Sequence, residues 1–152
     1  MAEDTDQEVA ALNGLIETCK DGENGFAVAA NAVANVELKD LFQSYSRQRA
    51  QYAAQLQEEV RRRGVDPENM GTVAGTLHRG WMSLKAAVPG QNDSTLVSEC
   101  RRGEEAAKRN YEEALQQAPG PEVRSLIEHQ LNGIREAIER LAALESVMGG
   151  QT

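Results

Sequence analysis

Two short stretches of this 152-residue chain repeat one pattern of residues that could bind a metal ion. CKDGE at 19–23 and CRRGE at 100–104 each contain a cysteine, two variable residues, a glycine and a glutamate. Either the glycine of each stretch faces the helical core and Glu23 or Glu104 flanks it, or the glutamate itself is buried, where an unpaired carboxylate costs several kcal/mol. Each buried carboxylate would then need a proton, an arginine or a metal ion.

The repeated glutamates are therefore candidate ligands for a weakly bound iron, manganese or zinc ion. A complete di-iron centre also requires Glu-x-x-His on two further helices. The chain has two histidines, His78 and His129, and neither has a glutamate three positions earlier. We therefore expect no di-iron enzyme, and no other catalytic residues are recognisable. The alternative is a carboxylate pair that shares a proton or binds Arg49 and tyrosine hydroxyls.

The apolar residues recur every three or four positions, which is typical of amphipathic helices. Glycine, proline and asparagine residues separate five such segments. The predicted helices cover about 5–34, 36–63, 72–88, 93–117 and 122–148.

These segments predict a single all-α domain spanning residues 1–152. Short connections make an antiparallel hairpin of residues 5–63 and a second hairpin of residues 93–148. The short helix at 72–88 would return the chain along the bundle as a crossover. Two hairpins joined by one long crossover have the ferritin-like connectivity of a four-helix bundle.

The repeated stretches also indicate that one hairpin was duplicated. Cys19 and Cys100 are 81 positions apart (100 minus 19), and Glu23 and Glu104 have the same spacing. The offset rises to 85 in the second helix of each hairpin, where ELKDLF at 37–42 aligns with EVRSLI at 122–127. The second turn is then four residues longer, and the halves would be related by an approximate two-fold axis.

Charge and composition exclude several classes of protein. The net charge of −8 disfavours a nucleic acid or an anionic membrane as partner. The acidic start MAEDTDQE does not resemble a signal peptide, and no apolar run is long enough to span a bilayer. Two cysteines make neither a disulfide framework nor a zinc site. We therefore expect a cytoplasmic protein with buried thiols.

Three longer phrases resemble a known group of proteins. LIETCKDGENGF at 15–26, TVAGTLHRGW at 72–81 and LVSECRRGEEAA at 96–107 resemble the uncharacterised ferritin-like four-helix-bundle family of bacteria. The resemblance extends from about Leu12 to Leu144. It implies a ferritin-like fold in a cytoplasmic protein, and it implies no established activity.

The sequence therefore favours a non-catalytic bundle that acts through association with protein, with a homodimer as one form. The alternative is a metal-binding protein that uses Glu23 and Glu104 as ligands. A third hypothesis, a carrier of a small ligand, requires a cavity inside the bundle.

Overall fold

The computed structural model of the chain describes residues 2–66, 81, 92–117 and 119–149. These residues form four helices and no strand: α1 (Ala2–Ala32), α2 (Val36–Arg62), α3 (Asp93–Gln116) and α4 (Pro121–Gly149). The predicted all-α class is confirmed, and the four long helices begin and end within three residues of the predicted positions. The crossover helix predicted at 72–88 lies outside the described residues, apart from Trp81.

The helices begin and end where the sequence provides capping residues. Asn35 caps α2, and its side-chain oxygen accepts a 3.0 Å hydrogen bond from the backbone N–H of Leu38. Asn92 caps α3 in the same way, accepting from the N–H of Ser94 at 2.7 Å. After α2, Gly64 adopts a φ of 77°, a left-handed conformation that glycine tolerates and that commonly ends helices.

Hydrogen bonds between α1 and α3 show that these helices run in opposite directions. Asn110 donates to Thr18 at 3.1 Å in the middle of the bundle. At one end, the backbone N–H of Ala34 donates to the Asp93 carboxylate at 2.9 Å. As residue numbers increase along α1, the numbers of the contacting residues in α3 decrease, so the two helices are antiparallel. Because a short turn also makes α2 antiparallel to α1, α2 and α3 run in the same direction.

The second hairpin is also antiparallel. Arg101, near the start of α3, binds Glu145 near the end of α4. Arg135 of α4 lies 3.5 Å from Glu112, which is further along α3. Helices α1 and α4 therefore run in one direction, and α2 and α3 run in the opposite direction.

The apolar faces form two core clusters, one towards each end of the bundle. The first packs residues such as Leu12, Leu56 and Ile127. The second packs residues such as Phe26, Leu96 and Trp81. Trp81 belongs to the second cluster, and its relative exposure is 4%. No helix among the described residues is both long and apolar enough to cross a bilayer.

Each hairpin turn is held by an acidic side chain from the other hairpin. The Asp93 carboxylate accepts hydrogen bonds from the backbone N–H groups of Ala34 and Asn35, at 2.9 and 3.1 Å. At the opposite end, Glu8 of α1 accepts from the N–H of Gly120 at 2.9 Å, before α4 begins. These bonds satisfy turn donors and fix the two hairpins in register.

Candidate functional site

The centre of the bundle contains a buried ion pair between α2 and α3. Glu104 is 0% exposed and Arg49 is 1% exposed. Two guanidinium nitrogens of Arg49 donate to the two carboxylate oxygens of Glu104, at 2.9 and 2.5 Å. This bidentate geometry is the strongest form of an arginine–carboxylate interaction. It matches one of the alternatives drawn from the sequence, a buried carboxylate neutralised by Arg49.

Aromatic side chains and a glycine position Arg49. The guanidinium carbon lies 5.7 Å from the ring centre of Phe26 and 5.5 Å from that of Tyr52, within the range of cation–π attraction. On α1, a Cβ atom at Gly22 would lie 3.3 Å from Cγ of Arg49, which is closer than ordinary packing. The glycine of the first repeated stretch therefore leaves room for the arginine.

The ionised form of Glu104 is destabilised by burial, despite its contact with Arg49. Burial raises the pKa of Glu104 to about 7, although the charge and hydrogen bonds of Arg49 act in the opposite direction. Desolvation exceeds the attraction because both groups have lost nearly all contact with water. Arg49 thus holds the carboxylate in place without making its ionisation favourable.

The structure places the two repeated glutamates in different environments. Glu23 is partly exposed at the side of α1, and its backbone carbonyl accepts a 2.9 Å hydrogen bond from Ser46. Glu104 is enclosed and bound to Arg49. Within the described parts of the chain, no three His, Cys, Asp or Glu side chains are grouped closely enough to hold a metal ion. The metal site of Glu23 and Glu104 remains a prediction.

The two histidines do not extend this site among the described residues. His129 is exposed on α4. His78 lies outside the part of the chain that the structure describes.

A second polar network lies beside the ion pair and links all four helices. The hydroxyl of Tyr111 donates to the side-chain oxygen of Gln130 at 2.7 Å, and Cys19 Sγ lies 3.0 Å from the same hydroxyl. Because the tyrosine proton is used by Gln130, the thiol donates to the tyrosine oxygen. Gln130 in turn donates to Gln55 at 2.9 Å and to the backbone carbonyl of Tyr52 at 3.2 Å.

Burial suppresses ionisation throughout this network. It raises the pKa of the Cys19 thiol to about 12, and it also raises the pKa of the Tyr111 hydroxyl. Burial likewise raises the pKa of Cys100, which is 0% exposed. Thiolates are the reactive form of cysteine, so both cysteines are chemically inert in the folded protein. The prediction of small buried thiols is confirmed.

Sequence reasoning missed the role of Gln130. Its position on the apolar face of α4, between Ile127 and Ile134, was the available signal, because a polar residue there needs buried partners. Those partners, Tyr111 and Gln55, lie on two other helices and could not be identified from spacing.

A cavity of about 420 Å³ opens at one end of the bundle, between α1, α3 and the turn before α4. Its lining includes Glu8, Ala11, Ala114 and Gly120. The Glu8 carboxylate is already bound by Gly120 and Arg63, and the other polar side chains that line the cavity are those of Gln7 and Gln117.

Comparison with known proteins relates the chain to an uncharacterised family. Residues 7–117, from α1 to the end of α3, match the family described as domain of unknown function (DUF2383). None of the curated proteins compared with the chain matches it. The expected relation to a family without an assigned activity is confirmed at this level. The chain belongs to the DUF2383 family of domains of unknown function.

Proposed function

We propose that this protein is a non-catalytic, cytoplasmic helical bundle that acts by associating with protein chains, with a second copy of itself as the first candidate. The observation that carries the proposal is the bond from Arg49 to both oxygens of Glu104. In the structure, the buried carboxylate at the repeated position has Arg49 as its counter-ion. It therefore needs no metal or substrate to compensate its charge.

The proposal includes the ferritin-like connectivity predicted from the sequence, in a protein of bacterial origin. That connectivity requires the second and third helices of the bundle to run in the same direction, because a long crossover joins them. The observed directions of α2 and α3 support it, as does the antiparallel pairing of α1 with α3.

Two exposed valines support association through one end of the bundle. Val36 at the start of α2 is 71% exposed, and Val147 near the end of α4 is 62% exposed. Both lie at the end where Asp93 begins α3. Single exposed apolar residues are ordinary on protein surfaces, but two at one end form the best starting point for an interface test.

Sedimentation velocity over a range of protein concentrations tests this proposal. We expect a dimer that Val36→Asp combined with Val147→Asp converts to a monomer. Ala54→Asp, at an exposed position in the middle of α2, is the matched control and should leave the dimer intact. A monomer at all concentrations would reject self-association. A dimer unaffected by the valine substitutions would reject this end of the bundle as the interface.

The alternative function is weak binding of iron, manganese or zinc by Glu23 and Glu104. It is favoured by one observation, the placement of a fully buried carboxylate at the repeated position. Such a site would require Glu104 to exchange Arg49 for the ion.

Metal analysis separates the two functions. The protein is purified without chelators, together with a variant carrying Glu23→Gln and Glu104→Gln. Near-stoichiometric metal that is lost in the double variant would establish the metal-binding function. No metal in the wild type, even after incubation with iron, manganese or zinc, would leave association as the supported function. Arg49→Gln is a useful comparison because it releases the carboxylate while retaining a polar side chain.

A further inference from the structure

The inner faces of α1 and α3 form a narrow slot around the indole ring of Trp81. A Cβ atom added at Gly25 of α1, or at Gly103 of α3, would lie 2.5 Å from Cδ2 of the indole, with one further ring atom closer still in each case. Carbon atoms in packed proteins lie about 3.5–4.0 Å apart. Any other residue at either position would therefore collide with the ring, which is rigid and cannot move aside as a flexible side chain would.

The inner wall of the slot is aromatic. The ring of Phe26 meets the indole edge-on, with the ring centres 5.0 Å apart at an interplanar angle of 66°. Edge-to-face pairs of this kind are favourable beyond the area that they bury. Two glycine walls and an aromatic edge admit a flat ring, whereas a branched aliphatic side chain would be too thick. The shape and chemistry of the slot thus select a planar aromatic group.

Contacts that do not involve Trp81 fix the walls of the slot. About two helical turns from Gly25 and Gly103, Asn110 of α3 donates to Thr18 of α1 at 3.1 Å. Towards the other end, the Asp93 carboxylate binds the backbone N–H of Ala34 at 2.9 Å. The spacing of α1 and α3 is therefore set on both sides of the slot, and the slot should persist when the indole is removed.

We infer that the slot between Gly25 and Gly103 is a preformed binding site for an indole-sized planar aromatic ring, which the chain occupies with its own Trp81. Trp81 acts as an intramolecular ligand whose high effective concentration excludes free aromatic molecules from the wild-type protein. A free ring should enter once Trp81 is shortened, as small aromatic molecules enter apolar cavities of matching size. This inference is independent of the proposed association.

Chemical rescue with free indole tests the inference. The melting temperature of Trp81→Ala should rise with the logarithm of the indole concentration once this exceeds the dissociation constant, by about 3 °C at tenfold excess. The wild type should not respond. Adding Gly103→Val to Trp81→Ala fills the slot and should abolish the response. A folded Trp81→Ala variant that ignores indole, or that responds equally with Gly103→Val, would overturn the inference.

Two further measurements keep the test decisive if Trp81→Ala does not fold. Indole should then restore its helical circular dichroism, and failure to do so counts against the site. The second measurement uses Gly103→Val alone, in which Trp81 is still present and is the protein's single tryptophan. This substitution should expel the indole ring from the slot and shift the emission maximum of Trp81 to longer wavelength. Gly14→Val is the matched control, because a Cβ at that helical glycine meets no atom within 4 Å. An unshifted spectrum in Gly103→Val would contradict the slot geometry.

Discussion

Arg49 of α2 binds both carboxylate oxygens of Glu104 of α3, and this pair lies between the two apolar clusters of the bundle. The interaction joins the two hairpins that contain the repeated stretches, and Glu104 is 0% exposed. Its counterpart in the other half differs. The position equivalent to Arg49 at an offset of 85 (134 minus 49) is Ile134, and Glu23 is partly exposed. A repeated motif has thus acquired two different roles.

Removal of one member of the ion pair should destabilise the fold strongly. Glu104→Ala removes both oxygens that accept hydrogen bonds from the buried Arg49 guanidinium, so we expect a loss of about 3–5 kcal/mol in the free energy of unfolding. Glu23→Ala is the matched control from the other repeat and should change stability by about 0.5 kcal/mol or less. Urea denaturation measures both values. Similar effects of the two substitutions would contradict the asymmetric roles.

Replacement of the whole pair should be tolerated much better. Arg49→Met combined with Glu104→Leu removes both desolvated charges and keeps similar volumes. We expect the double variant to recover most of the stability lost in Glu104→Ala. A double variant as unstable as the single one would show that the pair contributes more than mutual neutralisation.

The pKa of Glu104 predicts a pH dependence of stability. Because burial raises this pKa from its ordinary 4.5 to about 7, the folded protein binds a proton that the unfolded chain releases between these values. The contribution of Glu104 is therefore fully present below about pH 4.5 and is lost as the pH rises through 7. Relative to Glu104→Gln, the wild type should lose up to about 3 kcal/mol across this window. Urea titrations of both proteins from pH 4.5 to 8 measure the difference, and a constant difference would exclude the raised pKa.

Loss of the Tyr111 hydroxyl should leave two buried polar groups without their partner. Tyr111→Phe removes the acceptor of the Cys19 thiol and the donor to Gln130, so we expect a destabilisation of about 1–3 kcal/mol. Tyr45→Phe, at a partly exposed position of α2, should have a smaller effect. A double-mutant cycle of Tyr111→Phe with Gln130→Leu should give a substantial coupling energy. Additive effects would show that the hydrogen bond is dispensable.

The acidic side chain that holds the second turn should contribute to stability at neutral pH. The pKa of Glu8 is lowered: burial acts to raise it, but the hydrogen bond from Gly120 and the interaction with Arg63 together outweigh burial. Its contribution is present above pH 4.5 and is lost as the pH falls through the lowered pKa. Glu8→Gln should cost about 1 kcal/mol at pH 7. Glu58→Gln, in an exposed ion pair with Arg61, should cost almost nothing in the same denaturation assay.

The buried thiols should resist modification in the folded protein. Burial raises the pKa values of Cys19 and Cys100, so neither forms the thiolate that alkylating reagents attack. We expect iodoacetamide to label both cysteines in urea and neither in native buffer, as measured by mass spectrometry. Rapid labelling of Cys19 in native protein would contradict its enclosure beside Tyr111.

The helices themselves could be predicted from the sequence because their determinants are local. Apolar spacing identified α1 to α4, and Asn35 and Gly64 marked the ends of segments through their own backbone and capping preferences. Spacing could not place Glu23 and Glu104, because a Gly-Glu pair leaves open which residue faces the core. The sequence offered Arg49, a metal ion and a shared proton as possible partners for the carboxylates, and only the geometry shows that Arg49 binds Glu104.

The sequence by itself determined the all-α class, the positions of the four long helices and the repeat of Gly-Glu in two of them. The tertiary structure decided which repeated glutamate is buried and what compensates its charge. It also joined Cys19, Tyr111 and Gln130 into one network and set Trp81 between Gly25 and Gly103. These relationships depend on the rotation and separation of helices that are far apart in the chain. Local periodicity fixes a helix and its apolar face, whereas the packing of four helices fixes which side chains meet.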